Sequence, residues 1–287
     1  VQAPGTHWKY TLVIGTPGKR ERSVVVVSEV VLKDGDEVIR RPNEADKQDP
    51  ERLHQTAIQQ TASNKEFRPL ADFFASIEYM NLVPQLIREG QLSPRLAPGS
   101  DPLGRQFLER VAAESRRKGR LSAIAKLLAV VVPGLKSLEF EQDERGRTHV
   151  VAGFETWRPS LARQDESQLS DGTLRLIAML WQVQDAGGPL LLDEPEWSLH
   201  TQILRRLAPF LAREQRLRGN RQVILATYSE SLLSDEGIGA NEILLIQPAK
   251  EGSEVHAGGT FKKVTDLMER GVPASEAVLP LAGPQMD

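Results

Sequence analysis

The spacing of hydrophobic and polar positions divides the chain into a β-rich first third and a second half in which strands and helices alternate. "HWKYTLVIG" and "RSVVVVSEVVL" read as two strands joined by the turn-prone "TPGKRE". "VLKDGDEVIRR" carries an Asp34-Gly35 turn and predicts the next hairpin. Residues 41–65 have no clear period and read as exposed connection. From residue 69 to 87, through "LADFFASIEYMNLVPQLI", the pattern turns helical, until Pro84 ends or kinks it. "REGQLSPRLAPGSDPLG" (88–104) predicts a long loop, and two helices follow in "RQFLERVAAESRRK" and "RLSAIAKLLAVVV". "SLEFEQDERGRTHVVAGFE" predicts a hairpin turning at Glu144-Arg145-Gly146.

The next segments alternate. "SQLSDGTLRLIAMLWQVQ" is a capped helix with Leu, Ile and Met at helical spacing, and "PLLLDE" a short buried strand. "SLHTQILRRLAPFLAREQRLRG" is an amphipathic helix, and "RQVILATYS" and "NEILLIQP" are further buried strands. Such alternation predicts a parallel sheet with helices on its faces.

Composition narrows the classes. The 287 residues are 40% hydrophobic and 26% charged, enough for one large domain or two smaller ones. A net charge of -3 gives no global basic field for nucleic acid, although a local patch is compatible with it. With no cysteine, disulfides, thiolate catalysis and Cys-ligated zinc are excluded, which fits a cytoplasmic protein. His7, His54, His149 and His256 lack ligand spacing, so no structural metal site is expected. Apolar runs such as "LLAVVV" are too short to span a bilayer, no signal peptide is visible, and no membrane partner is expected. The opening Val1 suggests a fragment or a processed chain.

Candidate chemistry centres on "GGPLLLDEPEWSLH" (187–200). Leu190, Leu191 and Leu192 lead into Asp193 and Glu194 at a strand tip, and parallel sheets bind ligands at the carboxyl ends of their strands. Asp193 there can hold Mg²⁺, which prefers oxygen ligands, and Glu194 can take a proton from an attacking water. Alone, the stretch fits a polar turn that ends a strand equally well. Upstream, Ser170, Asp171 and Gly172 sit where a helix begins, a place for a cap and for an anion. The order of capped helix, strand ending in Asp-Glu, helix, and strand ending "ATYS" is far more specific than any one member.

That set resembles the C-terminal half of an ABC-type ATPase head. "LSDGT" (169–173) looks like the signature motif, "LLLDEP" (190–195) like Walker B with its catalytic glutamate, "EWSLH" (196–200) falls at the D-loop, and "ILATYSESLL" (224–233) at the switch. The pattern is most similar to the OLD and SMC-related soluble ATPases and is strongest over residues 167–247. It implies an α/β, ABC-ATPase-like fold, a mostly parallel sheet flanked by helices with an antiparallel β subdomain and a helical insert. The parts would be an antiparallel β portion at 1–66, the insert at 67–137, the signature, Walker B and switch lobe at 138–250, and a tail at 251–287.

The resemblance also implies an ATPase that uses ATP and Mg²⁺. Asp193 would hold the metal, Glu194 would act as catalytic base, and Tyr228 would occupy the switch. Ser170, Asp171, Gly172, Thr173 and Arg175, with Ser198 and His200 of the D-loop, would meet nucleotide across a homodimer seam. Two heads would stack head to tail, Ser170 and Gly172 of one contacting the γ-phosphate held by the other. For Arg175, a phosphate partner, a D-loop partner and a surface salt bridge all remain open. Too few residues follow "NEILLIQP" for a nuclease domain, so an effector would be a separate protein. DNA contact through "ESRRKGR" (114–120) or the basic stretch 205–221 competes with a plain solvated surface. Trp181 and Trp197 read as packing residues. Anti-phage defence and DNA repair are both settings for such a subunit.

Two departures qualify the resemblance. No G-x-x-x-x-G-K-[ST] phosphate loop is present; "GTPGKRERS" (15–23) has the wrong spacing and reads as a hairpin turn, so the loop is expected upstream of Val1. The family's switch histidine is replaced by Tyr228, neutral at pH 7, which predicts slow hydrolysis or ATP binding used as a clamp signal. The competing reading is a non-hydrolysing scaffold with a degenerate ATPase fold, against which the intact Asp193-Glu194 pair argues.

Overall fold

A computed structural model describes residues 2–3, 6–16, 23–89, 101–114, 119–185, 187–217, 221–249 and 252–282. Residues 17–22 of the expected turn, 90–100 of the expected loop and 115–118 of the basic insert stretch lie outside them. The chain forms two compact units, residues 1–77 and 78–287.

In the first unit β1 (Gln2–Ala3), β2 (Thr6–Gly15), β3 (Val25–Lys33) and β4 (Asp36–Arg41) form an antiparallel sheet in that order. The β3–β4 hairpin turns at Asp34 and Gly35, whose φ values of 52° and 99° match the left-handed geometry of a tight hairpin turn. Its core joins Trp8 and Val31 to Ala57, Phe67 and Leu70. The last two come from a short 3₁₀ turn and α2 (Arg68–Ala75).

Residues 41–65, expected to be exposed connection, are exposed over much of their length, but Arg41, Asp46, Ala57 and Asn64 are buried. Asn43 caps α1 (Glu44–Gln48) in a capping box with Asp46. Arg41 carries the reason for the difference. Its guanidinium, only 2% exposed, bonds the Asp46 carboxylate at 2.9 and 3.0 Å, Glu29 Oε2 at 3.1 Å, and the carbonyl oxygens of Arg52 and Gln55. Arg41 and Asp46 are buried here because they pair with each other and Arg41 pairs with Glu29.

The second unit contains β5 (Glu78–Met80), α3 (Pro84–Glu89), α4 (Phe107–Glu114), α5 (Arg120–Leu128), β6 (Leu135–Gln142), β7 (Thr148–Phe154) and β8 (Ala162–Gln164). It continues through α6 (Asp171–Val183), β9 (Leu190–Asp193), α7 (Thr201–Leu217), β10 (Val223–Ala226) and α8 (Glu230–Leu233). It closes with β11 (Leu244–Ala249), β12 (Gly252–Ala257), α9 (Lys262–Glu269) and α10 (Ala274–Ala282). The class is mixed α/β, as expected.

The parallel sheet has the order β10-β9-β5, with Leu190 opposite Glu78 on one side and Val223 on the other. This corrects the helical reading of residues 69–87: α2 stops at Ala75 and the chain enters the sheet at Glu78. "NEILLIQP" is likewise corrected. It pairs antiparallel with β12 and does not extend the parallel sheet. The residues read as a tail form β12, α9 and α10 and pack their own cluster of Leu245, Val264, Ala277 and Val278. β6, β7 and β8 make the expected antiparallel hairpin and one more strand, turning at Gly146 with φ 74°.

The main core of this unit lies on one face of the parallel sheet. Met80, Leu190 and Leu192 are buried there, with α6 contributing Leu174, Ile177, Ala178 and Trp181. The other face is partly exposed: Tyr79, Leu191 and Ile224 align across the three strands, with Tyr79 47% and Ile224 41% exposed and Leu191 partly covered.

Candidate functional site at the strand tips

The carboxyl ends of β5, β9 and β10 bring together residues more than a hundred positions apart. Asp193 ends β9 opposite Ala226 of β10, and the Glu194 amide continues the ladder to the Ala226 carbonyl at 2.9 Å. Asp193 Oδ2 accepts from the Tyr79 hydroxyl at 2.7 Å and from Asn81 Nδ2 at 3.4 Å. The hydrogen bond to this carboxylate raises the Tyr79 phenol above its ordinary value, because the bond favours the neutral, donating form.

Beyond Asp193 the chain makes two tight turns. The Trp197 amide bonds the Glu194 carbonyl at 3.3 Å and the Leu199 amide bonds the Glu196 carbonyl at 3.0 Å. Glu194 and Ser198 hold φ of 43° and 64°, a left-handed geometry that costs a side-chain-bearing residue about 1–3 kcal/mol. Arg175 of α6, 5% exposed, donates from Nη1 to the Glu194 and Trp197 carbonyls at 3.3 Å each and from Nη2 to the Leu82 carbonyl. It lines a small cavity with Met80, Leu82, Met179 and Leu192. That burial lowers its pKa, outweighing the carboxylates of Asp171, Glu194 and Glu196. Arg175 is therefore an internal brace, which excludes the surface salt bridge.

The helix start is equally specific. Ser170 caps α6, its Oγ accepting from the Thr173 amide at 3.2 Å and lying 2.9 Å from Thr173 Oγ1. Asp171 is turned to α3, where Arg88 pairs with it at 2.7 Å and Gln85 donates to it at 3.1 Å. Arg88 also donates to the Glu166 and Leu169 carbonyls, both at 2.9 Å. A Cβ on Gly172 would stand 2.2 Å from the Ser198 carbonyl oxygen, so only glycine lets α6 approach the turn this closely.

On the β10 side, Glu196 Oε1 accepts from the Thr227 hydroxyl at 2.6 Å and the Tyr228 amide at 3.2 Å. The Tyr228 side chain itself is 74% exposed. His200 precedes α7, its Nδ1 accepting from the Gln202 amide at 3.3 Å.

Of the residues picked from sequence, Arg175 holds the Glu194 carbonyl and Gly172 packs on Ser198 in one turn, Asp193 bonds Tyr79 and Asn81, Ser170 and Thr173 bond each other, and Asp171 bonds α3. Trp181 packs as expected, under the Arg120 guanidinium and edge-on to Phe107. Trp197 does not: it is 61% exposed. Arg120 of the basic insert stretch is committed to Glu114 and Asp185, and Arg221, read as part of a solvated basic stretch, is buried against Glu78 at 2.6 Å. Tyr79, Asn81 and Glu196 were missed; β-favouring Tyr79 ahead of Asn81 and Pro84 was the available signal for a strand end.

The Asp193 carboxylate at the strand tip fits Mg²⁺, an ion that keeps waters and shares phosphate oxygens. Among the described residues no group of three or more His, Asp or Glu could hold an ion, and no helix is long and apolar enough to cross a membrane.

Residues 29–234 match the family model described as "AAA domain, putative AbiEii toxin, Type IV TA system". The chain belongs to this family. It therefore carries a nucleotide-dependent ATPase domain of the AAA type. No curated protein matches it. Solved structures similar to it include an SmcHead bound to the C-winged helix domain of ScpA, at 13% identity and TM-score 0.45, covering 87% of this chain and 74% of that one. The SMC head domain from Thermotoga maritima is 13% identical with TM-score 0.39, covering 86% and 73%. A chain from work on ATP-driven dimerization and DNA-stimulated activation of SMC ATPases is 15% identical with TM-score 0.40, covering 51% and 87%.

Proposed function

We propose that this protein is an ABC-type ATPase of the OLD/SMC-like class that hydrolyses ATP slowly and uses nucleotide-driven dimerisation to gate a separate effector protein or a DNA transaction. The observation that carries this reading is the Asp193-Glu194 tip between β5 and β10, with the start of α6 packed on the turn that follows. Asp193 holds Mg²⁺, which supplies charge neutralisation on the phosphates. Glu194 orients the attacking water and accepts its proton. Ser170, Asp171, Gly172 and Thr173 offer the capped start of α6 to the nucleotide of a second copy, with Ser198 and His200 at the seam. Arg175 contributes as a brace of the main chain.

The partly exposed second face of the parallel sheet supports a further element. Such sheets are stable with both faces covered. A strand–loop–helix pairing with β10 and lying over Tyr79, Leu191 and Ile224 would bring the phosphate cradle that residues 15–23 do not offer. Membership of a family of toxin-like AAA domains from type IV toxin–antitoxin systems favours a defence setting over repair.

The test is Glu194→Gln in the full protein. It is expected to abolish ATP turnover and to trap an ATP-bound dimer in size-exclusion chromatography with light scattering. The scaffold reading, favoured by an exposed Tyr228 where the family has histidine, expects neither property to change. Turnover as fast as that of histidine-bearing relatives would remove the proposed role of Tyr228.

A further inference from the structure

We propose that Arg175 and Glu196 are positioning residues that brace the turn over residues 194–199 from two sides, so that the start of α6 and the Thr227–Tyr228 segment jointly set where Glu194 stands. The proposal rests on the reading of Glu194 as the base.

Four observations converge on this turn. Its first residue and Ser198 are both left-handed, so the turn does not hold its shape by intrinsic preference. Arg175 reaches carbonyls at two points in it, Glu194 and Trp197, and ties both to Leu82 just past β5. Three acceptors at the corners of one planar fork suit a guanidinium and not an ammonium. Gly172, one turn earlier on the same helix, admits the Ser198 carbonyl where any side chain would collide. From the opposite side, one oxygen of Glu196 gathers the Thr227 hydroxyl and the Tyr228 amide.

The consequence is mechanical. A displacement of the start of α6 moves Arg175 and with it the Glu194 carbonyl; a displacement after β10 moves Glu196, two residues further along. Neither side chain needs to touch the reacting atoms. In a site where a 1 Å misplacement costs on the order of a hundredfold, loss of either brace should appear in kcat and spare KM.

The experiment compares Arg175→Lys, Glu196→Gln, Glu196→Ala and Glu194→Gln in the full protein. Arg175→Lys and Glu196→Ala are expected to lower kcat about tenfold to hundredfold. KM for ATP should stay within about twofold. Glu196→Gln keeps the oxygen that Thr227 and Tyr228 use and should retain about half the turnover or more. Hydrogen exchange reads the brace without turnover. The Trp197 and Leu199 amides should exchange about tenfold faster in Arg175→Lys and Glu196→Ala, with the amides inside α6 unchanged.

Unchanged protection of Trp197 and Leu199 overturns the proposal. So does normal kcat in both braced-side variants when Glu194→Gln is dead, or an equal loss in Glu196→Gln and Glu196→Ala. If Glu194→Gln itself turns over normally, the reading of Glu194 fails, and the exchange measurement still decides whether the brace exists.

Discussion

Arg41 and Arg175 are both buried arginines, and their surroundings treat the charge in opposite ways. Arg41, in residues 1–77, meets the carboxylates of Asp46 and Glu29, and the hydrogen bond to Asp46 together with its charge raises the guanidinium pKa against the pull of burial. Arg175, in residues 78–287, meets only main-chain carbonyls, and burial lowers its pKa. The first is a compensated charge whose role is complete within the fold. The second is a costly burial that organises main chain beside a strand-tip carboxylate pair, the pattern expected where a fold serves a site.

Removing a partner from the compensated network should have the largest effect on stability. Arg41→Met leaves Glu29 buried without its cation and Asp46 with Arg52 alone, at 3.3 Å, a change that costs about 3–5 kcal/mol. Hydrogen exchange of the β3 amides and urea unfolding both measure it, and a loss under about 1 kcal/mol would mean that the network is solvated. Arg175→Met should cost less, about 1–3 kcal/mol, because it strands neutral carbonyls and no charge. Its signature is a fall in turnover out of proportion to the fall in stability. If Arg175→Met unfolds the protein as readily as Arg41→Met does, the contrast between the two arginines collapses.

The same contrast predicts an acid limb for the first unit. The hydrogen bond from Arg41, despite burial, holds the Asp46 carboxyl below its ordinary value of 3.8. A folded pKa below the unfolded one contributes stability that is present above pH 3.8 and is lost as pH falls through the folded value. Protection of the β3 amides should drop in that window, and Asp46→Asn should remove that part of the pH dependence. An unchanged acid limb in Asp46→Asn would assign the loss to other carboxylates.

These networks also mark what could be read from the chain alone. β9, β10 and α6 were legible because an apolar run ending in Asp193-Glu194 and a cap at Ser170 are local signals. Glu78–Met80 was not, since three residues carry no period and sit between two helical stretches. Asp46 looked exposed because its burial depends on Arg41 and Arg52, and the burial of Glu29 carries no local signal because its partners lie 12 and 28 residues away. Arg175 was singled out from its spacing after the signature-like motif, but its acceptors are backbone atoms, which leave no trace in side-chain identity. Glu196 lies within a motif, but its contacts, the Thr227 hydroxyl and the Tyr228 amide, lie 31 and 32 residues away and leave no local signal.

The smallest expected effect lies at the entry to α6. His149 Nδ1 is 2.8 Å from Glu166 Oε1, and the Val150 amide bonds the other Glu166 oxygen at 3.1 Å. Burial opposes the charged ring, yet the Glu166 and Asp143 carboxylates prevail and its pKa is raised above 6.5. A raised folded pKa contributes stability that is complete below pH 6.5 and disappears as pH rises through the folded value. For a partly exposed pair the contribution is no more than about 1 kcal/mol. Glu166 also presents its carbonyl to Arg88, which pairs with Asp171, so the pair tethers the segment leading to Ser170. Between pH 6 and pH 8, amides 166–170 should gain exchange beyond the intrinsic tenfold per pH unit, and His149→Gln should abolish the excess. An excess that persists in His149→Gln would sever the link between this histidine and the start of α6, leaving Arg88 as the tether.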